Sequence, residues 1–240
     1  MSKGQWVCKV CGYNMIGEMP EVCPFCGARH DTFIDWEEAE RTYRVTPNPV
    51  NDYVTQLMSV PRLGYEHAAY RILTDDCALW VDCPSAFNRD LEPVQEIYFT
   101  HPDFMGASNL YREQWSTKVH LHALDADGPL VKQFPIDDRF EGDFVAHGVE
   151  AYHIGGHTPG FTIYIYNDVL FTCDYAFPPG PNMHLNPYSP MDEIRARASR
   201  IIELISGRAL TTVCGYNYVA DFRQWIGDFR HAVKDERSGR

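Results

Sequence analysis

Two Cys-x-x-Cys motifs near the N-terminus constrain the folding of this chain more than any other feature. They are separated by eleven residues, and their members are Cys8, Cys11, Cys23 and Cys26. Each motif directs two thiolates at one centre, and four thiolates in this arrangement form the tetrahedral sulfur site that suits zinc or iron. The surrounding residues supply too few apolar side chains to fold alone. We therefore expect the metal ion to provide much of the stability of a small N-terminal domain.

Length and composition are those of a folded protein with one large domain beside this small one. The chain has 240 residues, of which 45% are hydrophobic and 13% aromatic, as is typical of globular proteins. No apolar run reaches the length of a membrane span, and no signal-peptide core follows the first residues. We therefore expect a soluble, cytoplasmic protein. The other four cysteines lack ligand spacing and are predicted to be reduced core thiols: Cys77, Cys83, Cys173 and Cys214.

The formal net charge of −12 narrows the range of partners. An acidic surface disfavours binding to nucleic acid and to anionic lipid. A small-molecule substrate or the basic patch of a redox partner protein is the expected ligand, and charge alone does not choose between them.

The sequence predicts three segments. Residues 1–36 form the metal-binding domain, residues 37–59 form a linker marked by Pro47 and Pro49, and residues 60–235 form the large domain. Helices are expected at 105–115, at 191–206 with Ser189 as its cap, and in a last segment that buries Phe222, Trp225, Ile226 and Phe229. Short β patterns lie at 67–73, 77–82, 96–100, 118–122, 149–154, 161–166, 169–172 and 210–214. Many strands with helices outside them predict a layered α/β sandwich.

Three predicted strand ends carry residue types that bind metal ions. Thr100-His101-Pro102-Asp103 follows an apolar strand, Gly156-His157-Thr158-Pro159-Gly160 lies between two strands, and Asp174 ends the next strand. Imidazole and carboxylate ligands from such loops can build a catalytic metal site with an open position for water. The order and placement of these residues therefore favour a second metal site at the strand ends.

The N-terminal motifs resemble a known family. Cys8-x-x-Cys11-Gly12-Tyr13 and Cys23-Pro24-x-Cys26-Gly27-Ala28 are similar to the rubredoxin-type iron site, in the short-spaced version found in rubrerythrins. The resemblance implies one iron ion with four cysteine ligands, which passes single electrons. A structural zinc site with the same ligands is the alternative, because the ligand geometry does not separate the two metals.

The second set of motifs resembles the metallo-β-lactamase superfamily, over about residues 60 to 230. Gly156-His157-Thr158-Pro159-Gly160 and Leu170-Phe171-Thr172-Cys173-Asp174 carry the resemblance, and Asp82 fits an early strand-end aspartate of the family. The resemblance implies a four-layer αββα sandwich of the α/β class.

Departures from the superfamily pattern reduce the implied ligand set. The loop at His101 lacks the second and third histidines, and Gly215-Tyr216 replaces a final Gly-His. The ligand set that the resemblance leaves consists of His101, Asp103, His157 and Asp174. It suffices for one iron or zinc ion rather than for a two-metal hydrolase. A scaffold whose active site has decayed is the alternative. Five other histidines are each expected to be structural or exposed: His67, His120, His122, His153 and His184.

These observations lead to three hypotheses. The first is an iron-binding redox protein in which the rubredoxin-type centre serves an atypical metallo-β-lactamase domain, since a hydrolase has no use for an electron. The second is a metal-dependent hydrolase of a thioester, lactone or ester. The third is a binding or sensing module without turnover. Any enzyme would thus be an oxidoreductase or a metallo-hydrolase with a non-standard active site.

Overall fold

The computed structural model of the chain describes residues 4–234. Residues 1–3 and residue 235, which the predicted domain ranges include, lie outside the described residues. The chain divides into two units, the first ending at Phe140 and the second beginning at Glu141. Within residues 4–234, none of the helices combines the length and the apolar character needed to cross a membrane.

A three-stranded antiparallel sheet opens the first unit. Its strands are β1 (Gln5–Cys8), β2 (Asn14–Ile16) and β3 (Phe33–Asp35), in the order β2-β1-β3. The first Cys-x-x-Cys motif forms the turn between β1 and β2, and the second lies in the loop between β2 and β3. One small sheet therefore carries both halves of the sulfur site.

A seven-stranded sheet forms the rest of the first unit, in the order β10-β9-β8-β7-β6-β5-β4. Strands β4 to β7 pair antiparallel and strands β7 to β10 pair parallel. Helix α2 (Ser108–Trp115) joins β8 to β9. The strands are β4 (Arg44–Pro49), β5 (Val54–Val60), β6 (Ala69–Leu73), β7 (Ala78–Val81), β8 (Glu96–Tyr98), β9 (Lys118–His122) and β10 (Asp138–Phe140).

The structure differs from the predicted linker at residues 37–59. This segment contains most of helix α1 (Trp36–Thr42) and all of strand β4. It also contains strand β5, which pairs with β4, except for its last residue, Val60. The segment begins with Glu37, Glu38 and Glu40, which belong to α1. Asp35 caps the first turn of this helix by accepting a hydrogen bond from the Glu38 N–H at 2.7 Å. Pro47 and Pro49 lie in β4, the edge strand of the sheet, where a residue without an N–H is tolerated.

One hydrophobic core connects the small sheet to the large one within the first unit. Val7 of β1 and Ile34 of β3 belong to the same buried cluster as Trp80 of β7 and Tyr111 of α2. The Trp80 and Tyr111 rings meet edge to face, with their centroids 4.8 Å apart. The N-terminal sheet is therefore packed against the sheet that follows it rather than held on a flexible connection.

The second unit contains a six-stranded sheet in the order β11-β12-β13-β14-β15-β16. Only β14 and β15 pair parallel among these described strands. Helices α3 (Met191–Ile205) and α4 (Phe222–Lys234) complete the unit. The strands are β11 (Phe144–Ala146), β12 (Val149–His153), β13 (Thr162–Tyr166), β14 (Val169–Cys173), β15 (Thr212–Gly215) and β16 (Val219–Asp221).

The eight predicted strands are all present, with boundaries within two residues of the prediction. Helix α3 begins where predicted and ends one residue earlier. Helix α2 begins three residues later than predicted and ends where predicted. The cap of α3 is Pro190, which makes no side-chain cap bond, so the prediction that Ser189 caps this helix is wrong. The buried face of α4 consists of Phe222, Trp225, Phe229 and Ala232, while Ile226 is half-buried.

Candidate metal centres

The four cysteines of the two motifs lie together as the spacing predicts. The sulfurs of Cys8 and Cys26 are 3.8 Å apart, and those of Cys11 and Cys23 are 3.7 Å apart. A tetrahedral ion with bonds of about 2.3 Å to sulfur requires sulfur–sulfur edges of about 3.8 Å. All four sulfurs lie within 4.8 Å of one another. The cysteines therefore fit one tetrahedral metal ion without rearrangement.

The two motifs have the same local backbone geometry. The Gly12 N–H donates to the Cys8 carbonyl at 2.8 Å, and the Gly27 N–H donates to the Cys23 carbonyl at 3.0 Å. Both glycines have a positive φ, +85° and +74° respectively, which residues with a Cβ adopt at a cost. Both glycines therefore serve as turn residues that close the motif.

The ionisation of the cysteines depends on their close packing. The neighbouring sulfurs of Cys23 and Cys8, together with burial, raise the pKa of the Cys11 thiol far above its usual range. Hydrogen bonds from Cys11 and Cys23 lower the pKa of Cys8. Without a cation the sulfurs thus share protons, because like charges at this spacing repel. A bound metal ion supplies the charge that allows all four thiolates to form.

Aromatic residues surround the sulfur site. Tyr13 and Phe33 are buried beside the cysteines, and Phe104 joins them from the loop between β8 and α2 of the same unit. Phe25, between Cys23 and Cys26, is partly exposed and packs edge to face on Phe104 with ring centroids 4.7 Å apart. Sequence reasoning missed Phe104, because its contact with the site is distant in the chain.

The buried ring of Tyr13 anchors the sulfur site to the segment between β9 and β10. Its hydroxyl donates to the Leu130 carbonyl at 3.0 Å. Burial raises the pKa of Tyr13 to about 12, so the phenol stays protonated and keeps this hydrogen bond at neutral pH.

The first unit also brings together His101 and Asp103 of the predicted second site. The Nε2 atom of His101 lies 3.7 Å from Oδ2 of Asp103, and the imidazole is almost fully buried. Two ligands of a tetrahedral ion with bonds of about 2.1 Å are about 3.4 Å apart. This pair therefore has nearly the separation that one metal ion requires.

A hydrogen-bond chain orients the His101 ring. The Thr100 hydroxyl donates to the Asp82 carboxylate at 3.0 Å and lies 2.8 Å from the Nδ1 atom of His101. Because the hydroxyl proton is directed at Asp82, the Thr100 oxygen accepts from Nδ1–H, and Nε2 keeps the lone pair that binds a metal ion. The Asp82 noticed in the sequence thus acts on His101 through Thr100.

His67 lies beside His101 in the first unit, although the sequence marked it as structural or exposed. It is buried, and its ring centroid lies 5.4 Å from that of His101 and 4.2 Å from that of Phe104. A ligand nitrogen of His67 lies within 4.8 Å of one of His101. No strand-end motif accompanies this histidine, so no sequence pattern indicates that it lies near a metal site.

The second unit brings together His157 and Asp174. Nε2 of His157 lies 3.5 Å from Oδ2 of Asp174, and both side chains are buried. Asn186 donates to the same carboxylate oxygen at 2.8 Å, and the Ser189 hydroxyl lies 2.8 Å from Nδ1 of His157. Ser189 therefore fixes the orientation of His157 instead of capping α3. The prediction that the two pairs bind one ion stays a prediction.

Two of the remaining cysteines, Cys83 and Cys214, behave as structural thiols. All eight cysteines of the chain are free of disulfides. Burial raises the pKa of Cys83 and of Cys214 well above the usual range. These two thiols are therefore protonated and unreactive at neutral pH.

Comparisons with known proteins agree with both halves of this description. A family model described as "Rubrerythrin, rubredoxin-like domain" matches residues 6–34. Comparison with curated protein sequences finds no match.

Solved structures of metallo-β-lactamases and related proteins resemble most of the chain. FIM-1 from Pseudomonas aeruginosa, in a mono-zinc form, is 14% identical with a TM-score of 0.64, over 90% of this chain and 98% of that one. A metallo-β-lactamase from Pontibacter korlensis is 14% identical with a TM-score of 0.63, and the match covers 80% of this chain and 100% of that protein. TTHA1623, in a di-iron-bound form, is 17% identical with a TM-score of 0.52, and the match covers 77% of this chain and 98% of that protein.

At these identities the structural likeness establishes the fold alone. Residues 6–34 are a rubredoxin-like domain in which four cysteines cluster as a metal site, and the chain has a metallo-β-lactamase-like fold.

Proposed function

We propose that this chain is an iron-dependent redox protein, in which the rubredoxin-like domain supplies single electrons to a metal ion in the metallo-β-lactamase fold. An iron ion held by four thiolates takes up and releases one electron. The residues of the chain have to hold that ion, shield it from water and provide a short route away from it.

The contact of Phe104 with both sites carries the proposal. On one side its ring packs against Phe25, in the loop between Cys23 and Cys26, and on the other side it packs against His67. His67 in turn lies beside His101, a predicted ligand of the second ion. Electron transfer through protein weakens steeply with distance, so an unbroken row of ring contacts favours transfer between these two places.

Burial supports the same conclusion. Cys8, Cys11 and Cys23 are almost fully buried, whereas Cys26 is exposed. One edge of the sulfur site thus reaches the surface, where an electron donor can approach, while the opposite edge faces the interior of the first unit. The net charge of −12 favours a donor protein with a basic patch.

Iron and a reducing location are part of the proposal. A protein of similar fold, TTHA1623, was solved in a di-iron-bound form, which supports iron as the second ion. Eight free cysteines suit the cytoplasm, because that compartment keeps thiols reduced.

Mössbauer spectroscopy of the full chain, produced with ⁵⁷Fe and purified without oxygen, tests this proposal. We expect two iron environments, one with sulfur ligands and one with nitrogen and oxygen ligands, and both should change on reduction. The variant Cys26→Ser should alter the first environment and leave the second. Zinc in place of iron at the sulfur site, or an iron signal that does not respond to reduction, would contradict the proposal.

Hydrolysis is the second candidate, favoured by the likeness to FIM-1 in its mono-zinc form. In this case His101, Asp103, His157 and Asp174 would hold a water-activating ion for a thioester, lactone or ester. An assay of zinc-loaded protein on these three substrate classes distinguishes hydrolysis from the redox function. Hydrolysis that His157→Ala abolishes and Cys26→Ser preserves would replace the redox proposal. A protein that keeps its cellular role after His157→Ala and Asp174→Ala would instead be a binding module.

A further inference from the structure

We propose that His67 binds the second metal ion together with His101, and that the rubredoxin-like domain holds His67 in position. The inference rests on the second ion of the proposed function, but not on its redox role. It assigns a ligand from outside the strand-end motifs, where the loop at His101 lacks two of the expected histidines.

The geometry of the two imidazoles favours a shared ion. A ligand nitrogen of His67 lies within 4.8 Å of one of His101, and their rings are inclined by 38°. Two nitrogens bound to one ion at about 2.1 Å are about 3 to 3.4 Å apart. A shift of under about 2 Å, which rotation about the side-chain bonds provides, is therefore enough to bring both nitrogens onto one ion.

The environment of His67 also fits a ligand. The side chain is 9% exposed and that of His101 is less exposed still, so an ion between them would be largely shielded from water. Asp103, whose Oδ2 lies 3.7 Å from Nε2 of His101, places a carboxylate beside that histidine. Imidazole nitrogens of this kind bind divalent first-row metal ions, Fe²⁺, Co²⁺ and Zn²⁺ among them.

The loop that carries His67 is pinned by the first Cys-x-x-Cys motif. Gly64 has φ +55°, and a Cβ there would lie 2.3 Å from the Val10 carbonyl oxygen. A Cβ on Gly12 would likewise lie 3.0 Å from Cβ of Glu66. The loop is therefore in direct contact with the motif at Gly64 and at Glu66. Glu66 directly precedes His67 in the chain.

The opposite side of the loop is held by hydrogen bonds to β5. The Glu66 carboxylate accepts from the N–H and from the hydroxyl of Ser59, both at 2.9 Å. The loop thus lies between β5 and the cysteine motif. Metal binding that orders the motif should also order the loop, so loading the sulfur site should raise the affinity of the second site.

Titration of the full chain with Co²⁺ tests this assignment, after the sulfur site has been filled with Zn²⁺, which is spectroscopically silent. We expect His67→Ala to weaken Co²⁺ binding at the second site by at least about 10- to 100-fold, the loss that follows when even an outer partner of a ligand is removed. The matched control is His30→Ala, which changes an exposed histidine of the same unit and should leave the affinity unchanged.

A second variant keeps the test decisive if removal of the ring disturbs the packing on Phe104. His67→Cys retains a ligand atom and should add a thiolate-to-cobalt charge-transfer band to the spectrum. Folded His67→Ala with wild-type Co²⁺ affinity, or folded His67→Cys without the new band, would overturn the inference. Neither outcome depends on electron transfer. A wild-type chain that takes up no Co²⁺ beyond the sulfur site would contradict both the inference and the proposed second ion.

Discussion

The substitution Gly64→Ala should separate the rubredoxin-like domain from the loop that carries His67. At φ +55° a residue with a Cβ is strained by about 1–2 kcal/mol. The added Cβ would also lie 2.3 Å from the oxygen and 2.5 Å from the carbon of the Val10 carbonyl. These atoms belong to the backbone, so the motif has to move by about 1 Å, and overpacking of this kind costs about 1–3 kcal/mol.

The total expected loss is about 2–5 kcal/mol in the free energy of unfolding. For a chain of this size, 1 kcal/mol shifts Tm by about 2–4 °C, so the variant should melt about 4–20 °C below the wild type. Circular dichroism of the metal-loaded protein during heating and urea titration measures both quantities. Binding of Co²⁺ to the second site should weaken at the same time, because the loop that positions His67 is displaced.

The matched control is Gly27→Ala, in the same domain. Gly27 has a similar φ of +74°, but nothing lies within 4 Å of an added Cβ. Only the backbone strain of about 1–2 kcal/mol should remain, and the second site should bind Co²⁺ as in the wild type. If the two variants lose the same stability within about 0.5 kcal/mol, or if both retain the second site, the contact between motif and loop does not have the role described above.

Three further substitutions test other parts of the structure. Arg112 beside Asp137 holds the pKa of that carboxyl below its usual 3.8. The ionised Asp137 therefore stabilises the fold fully above pH 3.8, and this stabilisation is lost as the pH falls through the lowered pKa. Urea denaturation should therefore show Asp137→Asn to be about 0.5–1 kcal/mol less stable than the wild type at pH 7, with the difference vanishing in acid. Ser189→Ala removes the partner of Nδ1 of His157 and should weaken Co²⁺ binding by about 10-fold or more in a folded protein. Cys26→Ser removes one of the four thiolate ligands and should shift and weaken the sulfur-to-metal absorption of the N-terminal site in the visible spectrum of iron-loaded protein.

The sulfur site was predictable from the sequence because its geometry is local. Each Cys-x-x-Cys motif places two ligands within four residues, and the glycine after each pair supplies the turn. The predicted strands were found for a similar reason, since patterns such as Lys118–His122 carry their own β signal. Strands of three residues, such as β10 and β16, are too short to show such a pattern.

The parts that sequence reasoning missed depend on contacts between distant segments. Pro47 and Pro49 indicate a linker locally, but the structure places them in an edge strand, where proline is accepted. Ser189 precedes Pro190 like a helix cap, yet its hydroxyl bonds to a histidine 32 residues away. His67 lies beside His101 only because the loop between β5 and β6 folds against the first cysteine motif.

Metal analysis of anaerobically purified protein, with its visible spectrum before and after one-electron reduction, tests whether the N-terminal centre is a redox-active iron site. We expect about two irons per chain, one of them at Cys8, Cys11, Cys23 and Cys26, where the visible absorption should bleach on reduction and return on reoxidation. Zinc in that site, with no visible absorption to bleach, would contradict it.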